Sequence, residues 1–164
     1  MTGAFETSLG LGDPYHVGIA VNDLDDAIGR LGRSLGLEPW ATLQAEVPAI
    51  YRGAETLTGI RSAFARSGSL LIELVQPTGG SFTAQTFLDE RGEGIYHLGY
   101  WVEDMTAVLE RADAAGIEVD WRFPKDGEAF AVYLDAKQTL GIHVELVSPS
   151  MKPVIDQALK KAGA

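Results

Sequence analysis

The 164-residue chain has no cysteine and only three histidines, His16, His97 and His143. Without cysteine there is no disulfide scaffold, no zinc ribbon and no thiol nucleophile, so any metal site must be built from His, Asp and Glu. Basic side chains are also scarce, 13 Lys and Arg against 23 Asp and Glu for a net charge of −10. Such a balance repels a polyanion and argues against a nucleic acid partner. No apolar run approaches the roughly 20 residues of a membrane helix. The opening MTGAFETSLG lacks the basic start and apolar stretch of a secretion signal. A cytoplasmic protein with no membrane association is the expectation. What is present is apolar content of 46%, enough at this length for one self-sufficient domain.

The chain also repeats itself. A shift of 81 residues lays YHVGIAVNDLDDAI, starting at Tyr15, over YHLGYWVEDMTAVL, starting at Tyr96; a shift of 72 lays IELVQP, ending at Pro77, over VELVSP, ending at Pro149. Repeats fix architecture more firmly than propensity does. Each copy opens on alternating β-rich sequence, with His16, Gly18 and Ala20 on one face and Val17, Ile19 and Val21 on the other. Asn22 to Asp26 then supplies capping side chains and first-turn acid for a helix whose apolar positions are Leu24, Ile28, Leu31 and Leu35, with Gly36 as its stop. In the second copy His97, Gly99 and Trp101 share a strand face, Met105, Val108, Leu109 and Ala112 line the helix, and Gly116 ends it.

Three strands follow each helix, near residues 38–43, 59–66 and 70–76 in the first copy and 119–123, 129–135 and 141–148 in the second. The expected fold is therefore α+β, two tandem βαβββ units making a curved mixed sheet, a half-open barrel around a metal site. Residues 1–12 are expected to be disordered and residues 13–149 to form one domain. Within it, unit one covers about 13–77, a connection with a short helix near 82–89 covers 78–94, and unit two covers about 95–149. Residues 150–164 are read as an added helix.

His16 and His97 occupy matching first strands, while Glu73 and Glu145 occupy matching last strands, each inside Glu-Leu-Val. A carboxylate among apolar strand neighbours is costly unless it is paired or holds a metal. Two imidazoles and two carboxylates suit one divalent Zn, Ni, Co, Mn or Fe ion, and the sum of charges is zero. A six-coordinate ion would keep two positions for a chelating small-molecule substrate.

Tandem βαβββ units with His at the start and Glu at the end of each resemble the vicinal oxygen chelate superfamily, and most of all its methylmalonyl-CoA epimerase and glyoxalase I branch, over about residues 13–149. The resemblance implies metal ligation by His16, Glu73, His97 and Glu145, a homodimer, and a metalloenzyme that abstracts a proton α to a carbonyl. In a glyoxalase-like reading Glu73 or Glu145 is the base. In an epimerase-like reading a further glutamate is expected near residues 57–58, where Leu57 and Thr58 stand instead; Glu55 and Glu46 are the alternatives. His143 shares a strand face with Glu145, about 7 Å along, and is a candidate acid or orienting group. Trp101, Tyr133, Trp121 and Phe123 are candidate pocket walls, which would favour an aromatic or alicyclic ketone, and Tyr51-Arg52 is a candidate anion contact. The competing classes are a glyoxalase-type lyase, a ring-cleaving dioxygenase and a metal-free drug-binding protein.

Overall fold

The computed structural model describes residues 8–164. In chain order the elements are β1 (His16–Ala20), α1 (Leu24–Leu35), β2 (Ala41–Tyr51), β3 (Ala54–Ser67), β4 (Leu70–Gly79), α2 (Thr83–Arg91), β5 (Gly94–Trp101), α3 (Met105–Ala114), β6 (Val119–Lys125), β7 (Glu128–Leu134), α4 (Lys137–Leu140), β8 (His143–Val147), a 3₁₀ turn (Pro149–Met151) and α5 (Lys152–Ala162). Both repeats thus fold as βαβββ.

Each unit is a four-stranded sheet, ordered β1-β4-β3-β2 and β5-β8-β7-β6, with its first and last strands parallel. The half-open shape expected for each unit is correct for a unit alone. Together they close an eight-stranded barrel within one chain, because β1 pairs antiparallel with β5 and β2 with β6. The β2–β6 seam is short and runs only through Ile50–Arg122 and Tyr51–Trp121.

The helices sit where their caps and apolar faces direct. Asp23 accepts from the Asp26 amide at 2.9 Å, and Gly36 closes α1 in the left-handed region at φ 64°. Leu24 and Ala27 are buried against Ala63 and Leu74 on the outside of unit one. Asp104 caps α3 in the same manner, and Val108 and Ala112 bury against Val132, Val144 and Leu146 of unit two. Inside the barrel, Phe82 and the buried residues of α2 join Tyr96, Trp121 and Tyr133. Ile155 and Leu159 of α5 pack on Ala41 and Phe64.

Three boundaries differ from expectation. The strands expected near 38–43 and 59–66 are instead the far ends of a long hairpin, β2 and β3, which turns at Arg52-Gly53. Pro48 obscures the strand in sequence, but β2 meets β6 only at Ile50 and Tyr51, so at Pro48 one side of β2 is free and the missing N–H is tolerated. The stretch before β8 contains the helical turn α4, and residue 141 is not strand. Of the segment expected to be disordered, residues 1–7 lie outside the described residues, whereas Leu9 and Leu11 pack on the α3 side and the Leu9 carbonyl accepts from Arg111 Nε at 2.9 Å. No described helix is long and apolar enough to cross a membrane.

Candidate metal centre

The four predicted ligands lie on four consecutive barrel strands, in the order β4, β1, β5, β8. The double His-x-Gly motif acquires its meaning from the antiparallel β1–β5 pairing, which sets His16 opposite Gly99 and Gly18 opposite His97. A Cβ built on Gly18 would fall inside the His97 imidazole, and one on Gly99 inside the His16 imidazole. Each glycine is therefore the bed for the other unit's histidine. The same rows carry the carboxylates, since Gly18 also aligns with Glu73 and Gly99 with Glu145.

The result is a tight convergence. The two Nε2 atoms are 2.6 Å apart. Glu73 Oε2 is 3.1 Å from both, and Glu145 Oε2 is 3.0 Å from that of His16 and 3.2 Å from that of His97. One donor atom from each residue lies within 4.8 Å of all the others. His16, His97 and Glu73 are buried. Despite its closeness to two imidazoles, Glu73 Oε2 has no hydrogen bond, and neither Nδ1 atom has one. The orphaned Glu73 oxygen and the two adjacent Nε2 atoms thus converge on a common centre.

Neighbouring ligands on an ion with bonds of ~2.1 Å are separated by ~3.0 Å at right angles, which matches the four His–Glu distances, while the two Nε2 atoms sit closer together. The residues fit a divalent metal ion in number, donor type, burial and charge.

Electrostatics agree. Burial is the largest influence on the Glu73 carboxyl and raises its pKa, but the His16 and His97 imidazoles together outweigh it and bring it to about 2. Glu145 is lowered by the same balance. For His16 burial lowers the pKa, yet the two carboxylates win and raise it to about 9. Both carboxylates are thus ionised at neutral pH, ready to bind a cation or accept a proton.

Glu73 and Glu145 line a half-open cavity of about 160 Å³. Of the predicted wall residues, Tyr133, Trp121 and Phe123 line it. Trp101 does not; it stacks on Tyr15 at 3.7 Å, with Lys152 Nζ 5.3 Å above its ring. Phe64, Phe82, Phe130, Met151 and Ile155 are among the further wall residues and escaped sequence reading. Phe64 shares a β3 face with Ser62 and Ile60 and was findable by alternation, whereas Phe82 enters from the N-cap of α2 and Ile155 from the last helix, which no local pattern signals.

Five other candidate residues are not brought to the cavity. His143 Nε2 bonds Asp120 Oδ2 at 2.8 Å, and Arg52 Nε donates to Asp120 Oδ1 at 3.0 Å. Burial raises the Asp120 pKa, but His143 and Arg52 together hold it at about 2. His143 and Arg52 therefore stabilise Asp120 instead of meeting a substrate. Glu46 points to the face of β2 opposite Ala45 and Val47, which line the cavity, and Glu55 is exposed at the far end of the hairpin. Tyr51, beside Arg52, bonds Thr86 Oγ1 at 2.7 Å. Among the described residues the carboxylates lining the cavity are Glu73 and Glu145 alone.

A single-chain barrel of two βαβββ units, with one metal-ligand candidate on the first and last strand of each, defines a vicinal-oxygen-chelate type of protein. The chain belongs to the Glyoxalase/Bleomycin resistance protein/Dioxygenase superfamily, which it matches over residues 15–133. It is 32% identical over 110 residues to the ethylmalonyl-CoA/methylmalonyl-CoA epimerase of Cereibacter sphaeroides, covering 66% of this chain and 75% of that one. It is 26% identical over 136 residues to the uncharacterized protein YqjC of Bacillus subtilis, covering 82% and 90%. The crystal structure of methylmalonyl-CoA epimerase from Mycobacterium tuberculosis superposes with a TM-score of 0.59 at 29% identity, over 92% of this chain and 96% of that one.

Proposed function

We propose that this chain is a metal-dependent isomerase or epimerase that removes and returns a proton next to a carbonyl. The observation that carries the reading is that Glu73 and Glu145 belong both to the four-donor cluster and to the wall of the cavity. Relatives named as epimerases support it.

His16, Glu73, His97 and Glu145 would hold a divalent ion, which would supply Lewis acidity toward a carbonyl oxygen and so make the neighbouring C–H acidic. One glutamate carboxylate takes that proton; the C–H bond breaks and its electron pair passes into the enolate of the substrate. The two glutamates come from opposite ends of the four-strand row, β4 and β8. In this reading one of them removes a proton and the other returns one. Tyr133 lines the cavity and accepts from the Tyr96 hydroxyl at 3.1 Å. Burial, then the Glu145 charge, raise its pKa, so it stays protonated and offers its own hydrogen to a substrate oxygen.

A glyoxalase-type variant, in which the proton returns to the adjacent carbon, is favoured by one observation: among the described residues the cavity holds no carboxylate beyond the two ligand candidates. Four protein donors leave two positions on a six-coordinate ion, which suits a chelating substrate better than a substrate together with O₂. Cytoplasmic, homodimeric operation belongs to the same reading, and light scattering tests the dimer.

The deciding experiment uses protein purified without a histidine tag. Its metal content is measured, and methylmalonyl-CoA, ethylmalonyl-CoA and a set of α-hydroxyketones are incubated with it in D₂O and followed by NMR. The expected result is one bound divalent ion and metal-dependent α-hydrogen exchange for some of these compounds, lost in Glu73→Gln or Glu145→Gln. Metal-loaded protein that exchanges none of them overturns the proposal.

A further inference from the structure

We infer that the cavity takes a neutral α-oxygenated carbonyl compound carrying a single aromatic or alicyclic ring, and rejects a reacting end that bears a free carboxylate. This rests on the isomerase reading for its chemistry but on separate observations for its substrate class.

The first observation is charge. Among the described residues no Lys, Arg or His side chain lines the cavity. Lys125, 4.9 Å over the Phe130 ring, and Lys152, beside Met151, approach the lining without joining it. The polar groups present are the two glutamates, the hydroxyls of Tyr15, Ser62 and Tyr133, and the Gln44 amide. Two carboxylates and a divalent ion sum to zero. A neutral chelating substrate preserves that balance, whereas a malonyl-type carboxylate would leave one net buried negative charge with no side-chain cation among the lining residues to offset it.

The second observation is size and surface. A cavity of about 160 Å³ is close to the ~150 Å³ at which an apolar protein cavity accommodates benzene. Its wall carries an edge-to-face aromatic cluster, with Phe82 and Trp121 centroids 5.2 Å apart, Trp121 and Tyr133 5.6 Å, and Phe82 and Tyr133 5.5 Å. Phe123 and Phe130 form a second such pair at 5.5 Å. These edges and faces suit a ring of the substrate.

The test measures binding to tag-free, zinc-loaded protein by calorimetry and by quenching of tryptophan fluorescence. Four probes separate the variables: 2-hydroxyacetophenone (neutral, ringed), hydroxyacetone (neutral, ringless), mandelate (anionic, ringed) and methylmalonyl-CoA. The expected order has 2-hydroxyacetophenone at least about ten-fold tighter than hydroxyacetone, from burial of the ring, and at least about ten-fold tighter than mandelate despite mandelate's ability to chelate. Mandelate or methylmalonyl-CoA binding as tightly as 2-hydroxyacetophenone overturns the inference.

Ala45→Lys, at an exposed lining position, adds a cation and should shift selectivity about ten-fold toward mandelate; Val47→Lys repeats the test at a second wall position. Unchanged selectivity in both overturns the charge argument. Exchange of methylmalonyl-CoA hydrogen together with weak 2-hydroxyacetophenone binding refutes this inference and leaves the isomerase reading intact. Ring-selective binding without exchange of any probe does the reverse.

Discussion

The crossed histidine–glycine beds give the sharpest test of the site. Replacing Gly99 by Ala puts a methyl group where the His16 ring lies, and Gly18→Ala does the same to His97. Unbonded carbons keep ~3.5 Å, so the ring must retreat by about 1.5 Å or the β1–β5 seam must open. Overpacking of this kind costs about 1–3 kcal/mol in stability. Metal binding should suffer more, because ligand bonds tolerate only ~0.2 Å of displacement. Disturbing a group that merely supports a ligand already costs about 10–100-fold in affinity, and here a ligand itself is displaced. The expected loss is at least about 100-fold, or ~2.7 kcal/mol. The assay is chelator competition on the metal-loaded proteins, paired with urea unfolding of the metal-free forms so that lost affinity is separated from lost fold. Gly12→Ala is the control, since a Cβ there meets nothing within 4 Å and its φ is not positive. Metal affinity within about three-fold of the parent in both variants, with the fold intact, would refute the crossed-bed argument.

Further outcomes follow from the same geometry. The metal-free protein should be pH-sensitive on both sides. Glu73, lowered from an ordinary 4.5 to about 2, contributes stability that is present above pH 4.5 and lost as pH falls through 2. His16, raised from 6.5 to about 9, contributes stability that is present below pH 6.5 and lost as pH rises through 9. Urea midpoints measured from pH 2 to 10 should therefore peak between about 4.5 and 6.5, and a flat profile contradicts the coupling. Asp120→Ala strands His143 and Arg52 and should cost about 1–3 kcal/mol while leaving metal stoichiometry unchanged, as read by denaturation and elemental analysis. Leu159→Ala, at a fully buried site on α5, should cost about 2–5 kcal/mol, and a loss below 1 kcal/mol would show that α5 is not a packed part of the domain.

Much of this was legible in one dimension because it is local or repeated. Strand alternation, the Asp23 cap and the Gly36 stop depend on residues a few positions apart, and the structure places all three where the pattern does. The four donors were legible because the repeat marks them twice, so His16, His97, Glu73 and Glu145 could be matched without knowing which strands touch. His143 shows the limit. Its spacing from Glu145 put it on the same strand face, but its partner is Asp120, a residue of β6, the next strand but one in the barrel. Trp101 shares a strand face with His97 by spacing, and yet Tyr15, supplied by the neighbouring strand, takes its ring. The β2–β3 hairpin was hidden by Pro48, whose acceptability depends on which side of the strand has a neighbour.

The amino-acid sequence by itself determined the two units, their helices and the donor set, since period, capping and residue chemistry are written along the chain. Only the tertiary structure decided that the units close one barrel, that each histidine rests on the other unit's glycine, and that the cavity beside the glutamates is walled by Phe82 and Ile155 and lined, among the described residues, by no Lys, Arg or His. Those facts depend on which strands and helices become neighbours. That is fixed by burial of all the apolar faces at once, and no stretch of a few residues contains it.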